Sequence, residues 1–329
     1  MDLSIIIPVY NVEEYVHPCL ESIFRQGLDD SRFEVIIVND GSTDKSMEMI
    51  ADIISQHNNI TVINQQNQGL SMARNNGFAM SKGEYIMMPD SDDLLIENSV
   101  KPLLEKALET KADMIVADFL RMEDEEIGIL DTGHPTQPPF ETEEKTGHEL
   151  LKELNPFTCY VWRALYRRDF LLENNIRFIP DIYYEDIPFT HECYLKAGKC
   201  IKSRWMLNIY RERRTGSITS SIFTIDKAKR FILAIAATWK LRKSEVLPAD
   251  VLYKLEEDVF VSFSKLIYNT VRGKKSTSER NMVMDNVKAL APNLDFTHNL
   301  RQRITTFLMK KAPHLFINVY YLWSKLFHR

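Results

Sequence analysis

Ser4-Ile5-Ile6-Ile7-Pro8-Val9 is a short, continuous apolar run, the composition of a strand buried on both faces. A helical pattern follows from about Val12 to Gln26, and Glu34-Val35-Ile36-Ile37-Val38 reads as a second buried strand. A helix is expected from about Lys45 to His57, and Ile60-Thr61-Val62-Ile63 is the third strand. A Gln/Asn-rich loop runs to Gly69, a helix covers about Ser71 to Met80, and Tyr85-Ile86-Met87-Met88-Pro89 is the fourth apolar run. Strand and helix alternate with short links. That pattern predicts an α/β fold with a doubly wound, mainly parallel sheet and ligands at the carboxyl ends of its strands. The polar motifs of this half of the chain fall at those ends.

Beyond the fourth run, residues 98–111 look helical and Asp113 to Phe119 like another strand. Residues 121–147 are acidic and carry Pro135, Pro138 and Pro139, which suits a hairpin or surface loop. From about Asp226 the pattern turns helical and stays so, with breaks, to the end.

Composition narrows the class. The chain has 329 residues, 44% hydrophobic and 26% charged, enough for one large globular domain or two smaller ones. Cys19, Cys159, Cys193 and Cys200 are scattered with no C-x-x-C pair, which argues for reduced thiols and against a disulfide frame or zinc site. The N-terminus enters a strand directly and shows no signal-peptide pattern. No apolar stretch reaches the roughly 18–20 residues of a membrane span. A cytoplasmic protein is expected, peripheral on the membrane if its tail binds lipid. The charge is lopsided: residues 1–220 carry 22 Lys and Arg against 37 Asp and Glu, residues 221–329 carry 19 against 9, and residues 299–329 contain no acid.

Asp90-Ser91-Asp92-Asp93 directly follows the fourth apolar run. Carboxylates crowded at the end of a buried strand repel one another and call for a compensating cation. Hard oxygen ligands one residue apart suit Mg²⁺ or Mn²⁺, with water and phosphate completing the shell. Asp40, in Asn39-Asp40-Gly41-Ser42-Thr43-Asp44, ends the second strand; it fits either an imide N–H such as that of uracil or an Asx-turn and helix cap. Tyr10, just past the first strand, is placed either to stack on a base or to pack. Arg74 lies in the helix before the acidic strand end, where its fork could bridge phosphate and carboxylate. Glu185-Asp186 follows Tyr183-Tyr184 and is a candidate general base or a helix-start acid pair. Tyr210 to Thr219 reads as a basic, Gly-containing loop able to close over a diphosphate.

Together, Ile5-Ile6-Ile7-Pro8-Val9-Tyr10-Asn11, Val38 to Asp44, Gly69-Leu70-Ser71-Met72-Ala73-Arg74-Asn75-Asn76-Gly77, Asp90 to Asp93 and Tyr183 to Asp186 resemble family 2 glycosyltransferases with the GT-A fold. The resemblance covers about residues 3–220. It implies a GT-A nucleotide-diphospho-sugar transferase domain over 1–220, with a nucleotide half to about 120 and an acceptor half over 121–220. A basic helical region, 221–329, follows. It further implies an inverting enzyme of polysaccharide assembly. Pro8, Tyr10, Glu13 and Asp40 would surround the nucleotide, with Asp40 on the base. Arg74 would support the diphosphate, and Asp90, with Ser91 in the same turn, would face the nucleotide. Asp92 would hold the metal. Asp186 would be the base, with Glu185 beside it, and Trp162 would line the donor-sugar and acceptor pocket. One departure stands out: many relatives have a lysine where this chain has Ala164, so any contact from that position is lost.

The implied reaction uses a nucleotide-sugar, UDP by the family's habit, and a glycan or lipid-linked hydroxyl acceptor. Two other readings stay open. A nucleotidyltransferase making nucleotide sugars should carry a Gly-rich basic loop after the first strand, where this chain has Pro8 to Tyr15. A non-catalytic partner of a polysaccharide synthase would not need both Asp92 and Asp186. The tail after Phe307 mixes aromatics and cations, with apolar residues 315, 316, 319, 322, 323, 326 and 327 at helical spacing. It suits an interfacial helix on an anionic inner-membrane surface, or a helix docked on the acidic domain. No nucleic-acid motif accompanies it.

Overall fold

The computed structural model describes residues 1–129, 137–156, 158–212, 222–244, 246–273 and 275–327. They form two compact units. The first comprises Met1–Leu150, Tyr160–Pro180 and Cys193–Ser220; the second comprises Leu151–Cys159, Asp181–Glu192 and Ser221–Arg329.

The first unit is built on one sheet. Its strands are β1 (Leu3–Val9), β2 (Phe33–Asn39), β3 (Ile60–Asn64), β4 (Tyr85–Met87), β5 (Leu94–Leu95), β6 (Met114–Met122), β7 (Thr142–Lys145), β8 (Ala164–Arg167) and β9 (Cys200–Arg211). Their order is β3-β2-β1-β4-β8-β6-β9-β5, with β7 paired to β9. The first four strands pair in parallel, as the alternation predicts, with Ile5 opposite Val35 and Met87. Past β4 the sheet is mixed: β8 runs antiparallel between β4 and β6, while β6 and β9 are parallel. The region 121–147 supplies a helix, Asp124–Ile129, and β7.

All seven residues of β1 are buried, which its unbroken apolar sequence requires. Each Ile or Val withdrawn from water there contributes about 1.5–3 kcal/mol. The helix Leu70–Met80 lies against this strand through Gly77, where a Cβ would come within 2.3 Å of Ile6 Cγ2. A Gly77→Ala change would therefore push the helix, and Arg74 with it, off the sheet.

In the second unit, helices Ile225–Leu241, Ala249–Arg272, Thr277–Leu290, Leu300–Lys311 and Pro313–Phe327 enclose a core containing Phe231, Phe263, Phe296 and Ile317. Three helix starts are set by side-chain caps. Thr224 accepts from Lys227 N–H, Ser276 forms a reciprocal box with Glu279, and Asn299 accepts from Gln302 N–H.

Candidate active site

The loops leaving β1 and β2 are stitched to each other. Asn11, with φ +51°, accepts from Thr43 N–H at 2.8 Å; Glu13 accepts from Lys45 N–H at 2.8 Å; and Asp44 accepts from Glu13 N–H at 3.0 Å. Pro8 is buried in β1, opposite Val38. Tyr10 stands at the rim, 47% exposed, so its ring is free of the core and available to a ligand. Glu13 is exposed, but its carboxylate already accepts from the N–H of Lys45, the residue before the helix that starts at Ser46.

Asp40 is buried and organises the next loop. Its Oδ1 accepts from Gln65 Nε2 at 2.7 Å and Gln68 N–H at 2.8 Å, and its Oδ2 accepts from Gly69 N–H at 2.9 Å. A carboxylate offers about four acceptor positions, so three protein donors leave one for a ligand. Gly69 is the N-cap of the helix Leu70–Met80, which ties Asp40 to the element carrying Arg74. Gly41 is needed here: its φ is +75°, and a Cβ would lie 3.0 Å from Asn67 N.

Arg74 is no surface arginine. It is fully buried, its guanidinium lies 5.2 Å from the centre of the Phe178 ring, and it donates to Asp90 Oδ1 at 2.6 Å. Asp90, Asp92 and Asp93 offer carboxylate oxygens all within 4.8 Å of one another, and Ser91 between them is buried. The Asp93 N–H closes a turn on Asp90 O, yet its side chain is 2% exposed. Oδ1 accepts from Arg211 N–H at 2.8 Å, while Oδ2 is buried with no hydrogen-bond partner among the described residues. Burial, then the charges of Asp92 and Asp90, push the Asp93 carboxyl well above the usual range. The same three acids add to burial in raising the Cys19 thiol. Acids crowded around a buried carboxyl and a buried thiol favour the protonated form of each.

Sequence reasoning put Arg211 in a basic loop and not against the acidic turn. The segment from Tyr210 was expected to be loop, but Tyr210 and Arg211 complete β9; Arg213 to Thr219 lie outside the described residues. Arg211 Nε donates to Asp92 O at 2.8 Å, its head pairs with Asp124, and it lies over the Tyr15 ring. The usable signal was Leu207, Ile209 and Arg211 alternating with Asn208 and Tyr210.

Trp162 is buried in an aromatic stack, 4.6 Å from Tyr160 and 5.6 Å from Tyr210, with Phe119 edge-on at 4.9 Å. Arg121 reaches across this group and donates to Tyr160 Oη at 3.1 Å. Ala164 opens β8 and is buried, and its neighbour Arg163 donates to Ala117 O and Asp118.

Glu185 and Asp186 belong to the second unit, at the start of the helix Asp186–Lys196. They follow a left-handed backbone: φ is +61° at Asp181 and +62° at Tyr184. A tyrosine in that region is strained, and such strain collects at functional turns. Tyr184 is held by Phe231, 4.3 Å away, and by Lys265 over its ring. Thr190 Oγ1 donates to Asp186 O at 2.6 Å. One turn on, buried His191 lies 2.7 Å from Ile187 O through Nδ1 and 3.2 Å from Asp258 Oδ2 through Nε2. Both partners can only accept, so the ring carries both protons. Lys254 supplies a second cation to Asp258, at 2.5 Å.

Comparison with known proteins bears on this geometry. Residues 4–173 match the family described as Glycosyl transferase family 2. An uncharacterized glycosyltransferase, EpsJ of Bacillus subtilis (strain 168), is 36% identical over 216 residues, 64% of this chain and 61% of that protein. The match thus spans about three fifths of that relative's length. A cholesterol galactosyltransferase of Borreliella burgdorferi is 28% identical over 317 residues, 88% of this chain and 84% of its own. The solved structure of S. aureus TarS 1-349 in complex with UDP-GlcNAc has a TM-score of 0.70 at 22% identity, covering 96% of this chain and 92% of that one. The fold is therefore that of GT-A glycosyltransferases, a mixed sheet with helices followed by a helical region.

Proposed function

The chain belongs to glycosyl transferase family 2, and from that premise we propose that it is an inverting, metal-dependent transferase. It would move a sugar from a UDP-sugar to a hydroxyl of a glycan or lipid-linked acceptor in cell-surface polysaccharide synthesis. The observation that carries this reading is the carboxylate group Asp90, Asp92 and Asp93 at the end of β4, within 4.8 Å and backed by buried Arg74. The buried, unpartnered Oδ2 of Asp93 and the hard oxygen donors fit a divalent cation. Asp92 is the ligand we assign, for Mg²⁺ or Mn²⁺, which would supply charge neutralisation to the departing nucleoside diphosphate. Arg74 holds Asp90 in place. Tyr10 is the exposed ring for the base, with the remaining acceptor position of Asp40 for an imide N–H.

Asp186 is proposed to take the proton of the acceptor hydroxyl, whose oxygen then attacks the anomeric carbon opposite the leaving group. One displacement inverts the centre, so no second carboxylate nucleophile is needed. The UDP assignment follows the ligand of the TarS structure. The lipid-linked acceptor follows the cholesterol galactosyltransferase, whose match covers 88% of this chain. With such an acceptor the protein would work at the cytoplasmic face of the membrane.

Purified protein with Mn²⁺ and a panel of UDP- and GDP-sugars tests this. UDP released without pyrophosphate is the expected result. Pyrophosphate release would mean nucleotidyl transfer, and no turnover of any donor with any acceptor would mean a non-catalytic partner.

A further inference from the structure

We propose that the outward faces of helices Leu300–Lys311 and Pro313–Phe327 form an interfacial patch that seats this protein on an anionic lipid bilayer. The inference rests on the membrane-borne acceptor proposed above and gives it a surface. In the first helix, Leu300, Ile304 and Phe307 are exposed and recur at i, i+4 and i+7. They lie opposite Gln302, Thr306 and Met309, which are buried. In the second helix, Leu315, Val319, Leu322 and Trp323 are exposed, opposite Ile317, which is fully buried in the core of the unit. Folding thus accounts for the inner face of each helix and leaves the outer face apolar. Apolar stripes left exposed on two consecutive helices are the kind of surface that marks an interaction site.

Charge selects the occupant. Residues 299–329 hold no Asp or Glu, while Arg301, Arg303, Lys311 and Lys325 lie in these two helices; Lys310 lies there too but is paired with Asp295 at 3.1 Å. At 100° per residue, Arg301 falls on one flank of the Leu300–Phe307 stripe and Arg303 on the other. Cations bordering an apolar stripe complement anionic headgroups above acyl chains. A second copy of the same face would instead oppose like charges. Trp323, 49% exposed on this face, is an amphipathic ring of the type enriched at membrane–water interfaces. Among the described residues no helix is long and apolar enough to cross a membrane, so the contact is one that lies on the bilayer.

The test uses the full chain and vesicles of phosphatidylcholine, alone or mixed equally with phosphatidylglycerol. Wild type should sediment with the mixed vesicles and shift its tryptophan emission to the blue, with little of either on phosphatidylcholine alone. Leu315→Ser/Leu322→Ser/Trp323→Ser should bind about tenfold more weakly or worse, and Arg303→Glu/Lys311→Glu about tenfold more weakly. Both should hydrolyse donor in solution like wild type, which reports an intact fold. The proposal is overturned if wild type ignores the mixed vesicles or the variants sediment equally. It is also overturned if the triple substitution converts a stable dimer to monomer, because a second copy then covers the face. Vesicle binding by a protein that turns over no donor would uphold this surface and remove the transfer reading; turnover without vesicle binding would do the reverse.

Discussion

Two carboxylate groups in this molecule differ in how their charge is met. Around Asp258 the acid receives His191 at 3.2 Å and Lys254 at 2.5 Å, and all three are largely buried. Around Asp90, Asp92 and Asp93, three acids share a small space; Arg74 answers Asp90, while Arg211 gives its backbone N–H to Asp93 and its Nε to the Asp92 carbonyl. The raised Asp93 carboxyl and its unpartnered Oδ2 register the difference. A buried acid with full compensation is architecture, holding the turn that carries Asp186. At 90–93 a fully buried carboxyl, Asp93, is crowded by two half-buried ones, and a bound cation is the compensation we propose for it.

Substitutions should therefore separate the two groups on different axes. Asp92→Ala should lower kcat/KM for transfer by about 10³-fold or more while leaving the melting temperature unchanged or higher, since it relieves repulsion. Asp186→Asn should lose a similar factor, again in a folded protein; near wild-type turnover would remove it as the base. Asp258→Ala should do the opposite. It strands two buried cations and should cost about 3–5 kcal/mol in denaturant unfolding, with divalent-cation binding per folded molecule unchanged. If Asp258→Ala abolishes cation binding in the folded fraction, the division between the groups is wrong.

Arg211→Lys is the intermediate case. It keeps a charge but loses the geometry that fixes the Asp92 carbonyl and the Asp124 contact, and should weaken cation affinity about 10–100-fold with a smaller effect on stability.

The smallest effect is a pH dependence. Burial pulls His191 down, but Cys159 and Asp258 outweigh it and push it up to about 10. A histidine raised on folding gives stability that is complete below its unfolded value, about 6.5, and is lost as pH rises through the folded one. Wild type should lose stability across that window, and His191→Gln should be less stable but flatter there. Equal slopes would show that this ring is not the imidazolium its two acceptors require.

Much of the first unit was legible in the sequence, because strands buried on both faces have no choice but to be continuous apolar runs. β1 to β4 and the helices between them follow from that. β8 was not legible: Ala164 to Arg167 is four residues long and its partners β4 and β6 are distant in sequence. β9 was obscured by Lys202, Ser203 and Arg204, which interrupt its apolar pattern. At the site, residue types announced Asp40, Arg74 and Asp90 to Asp93, but not what holds them. That Asp40 staples residues 65–69, that Glu13 accepts from Lys45 N–H, and that Arg211 reaches the acidic turn from 118 residues away in contact with Asp93 are tertiary facts. The pairing of His191 with Asp258, 67 residues apart, was hidden for the same reason.

The central claim, that the acid group at 90–93 is a cation and diphosphate site, is most directly tested by calorimetric titration of Mn²⁺ into the full chain, alone and with UDP. Mn²⁺ should bind, and bind more tightly when UDP is present, and both effects should be lost in Asp92→Asn. Wild type that takes up no Mn²⁺ even with UDP, or an Asp92→Asn protein that binds it equally well, would contradict the account.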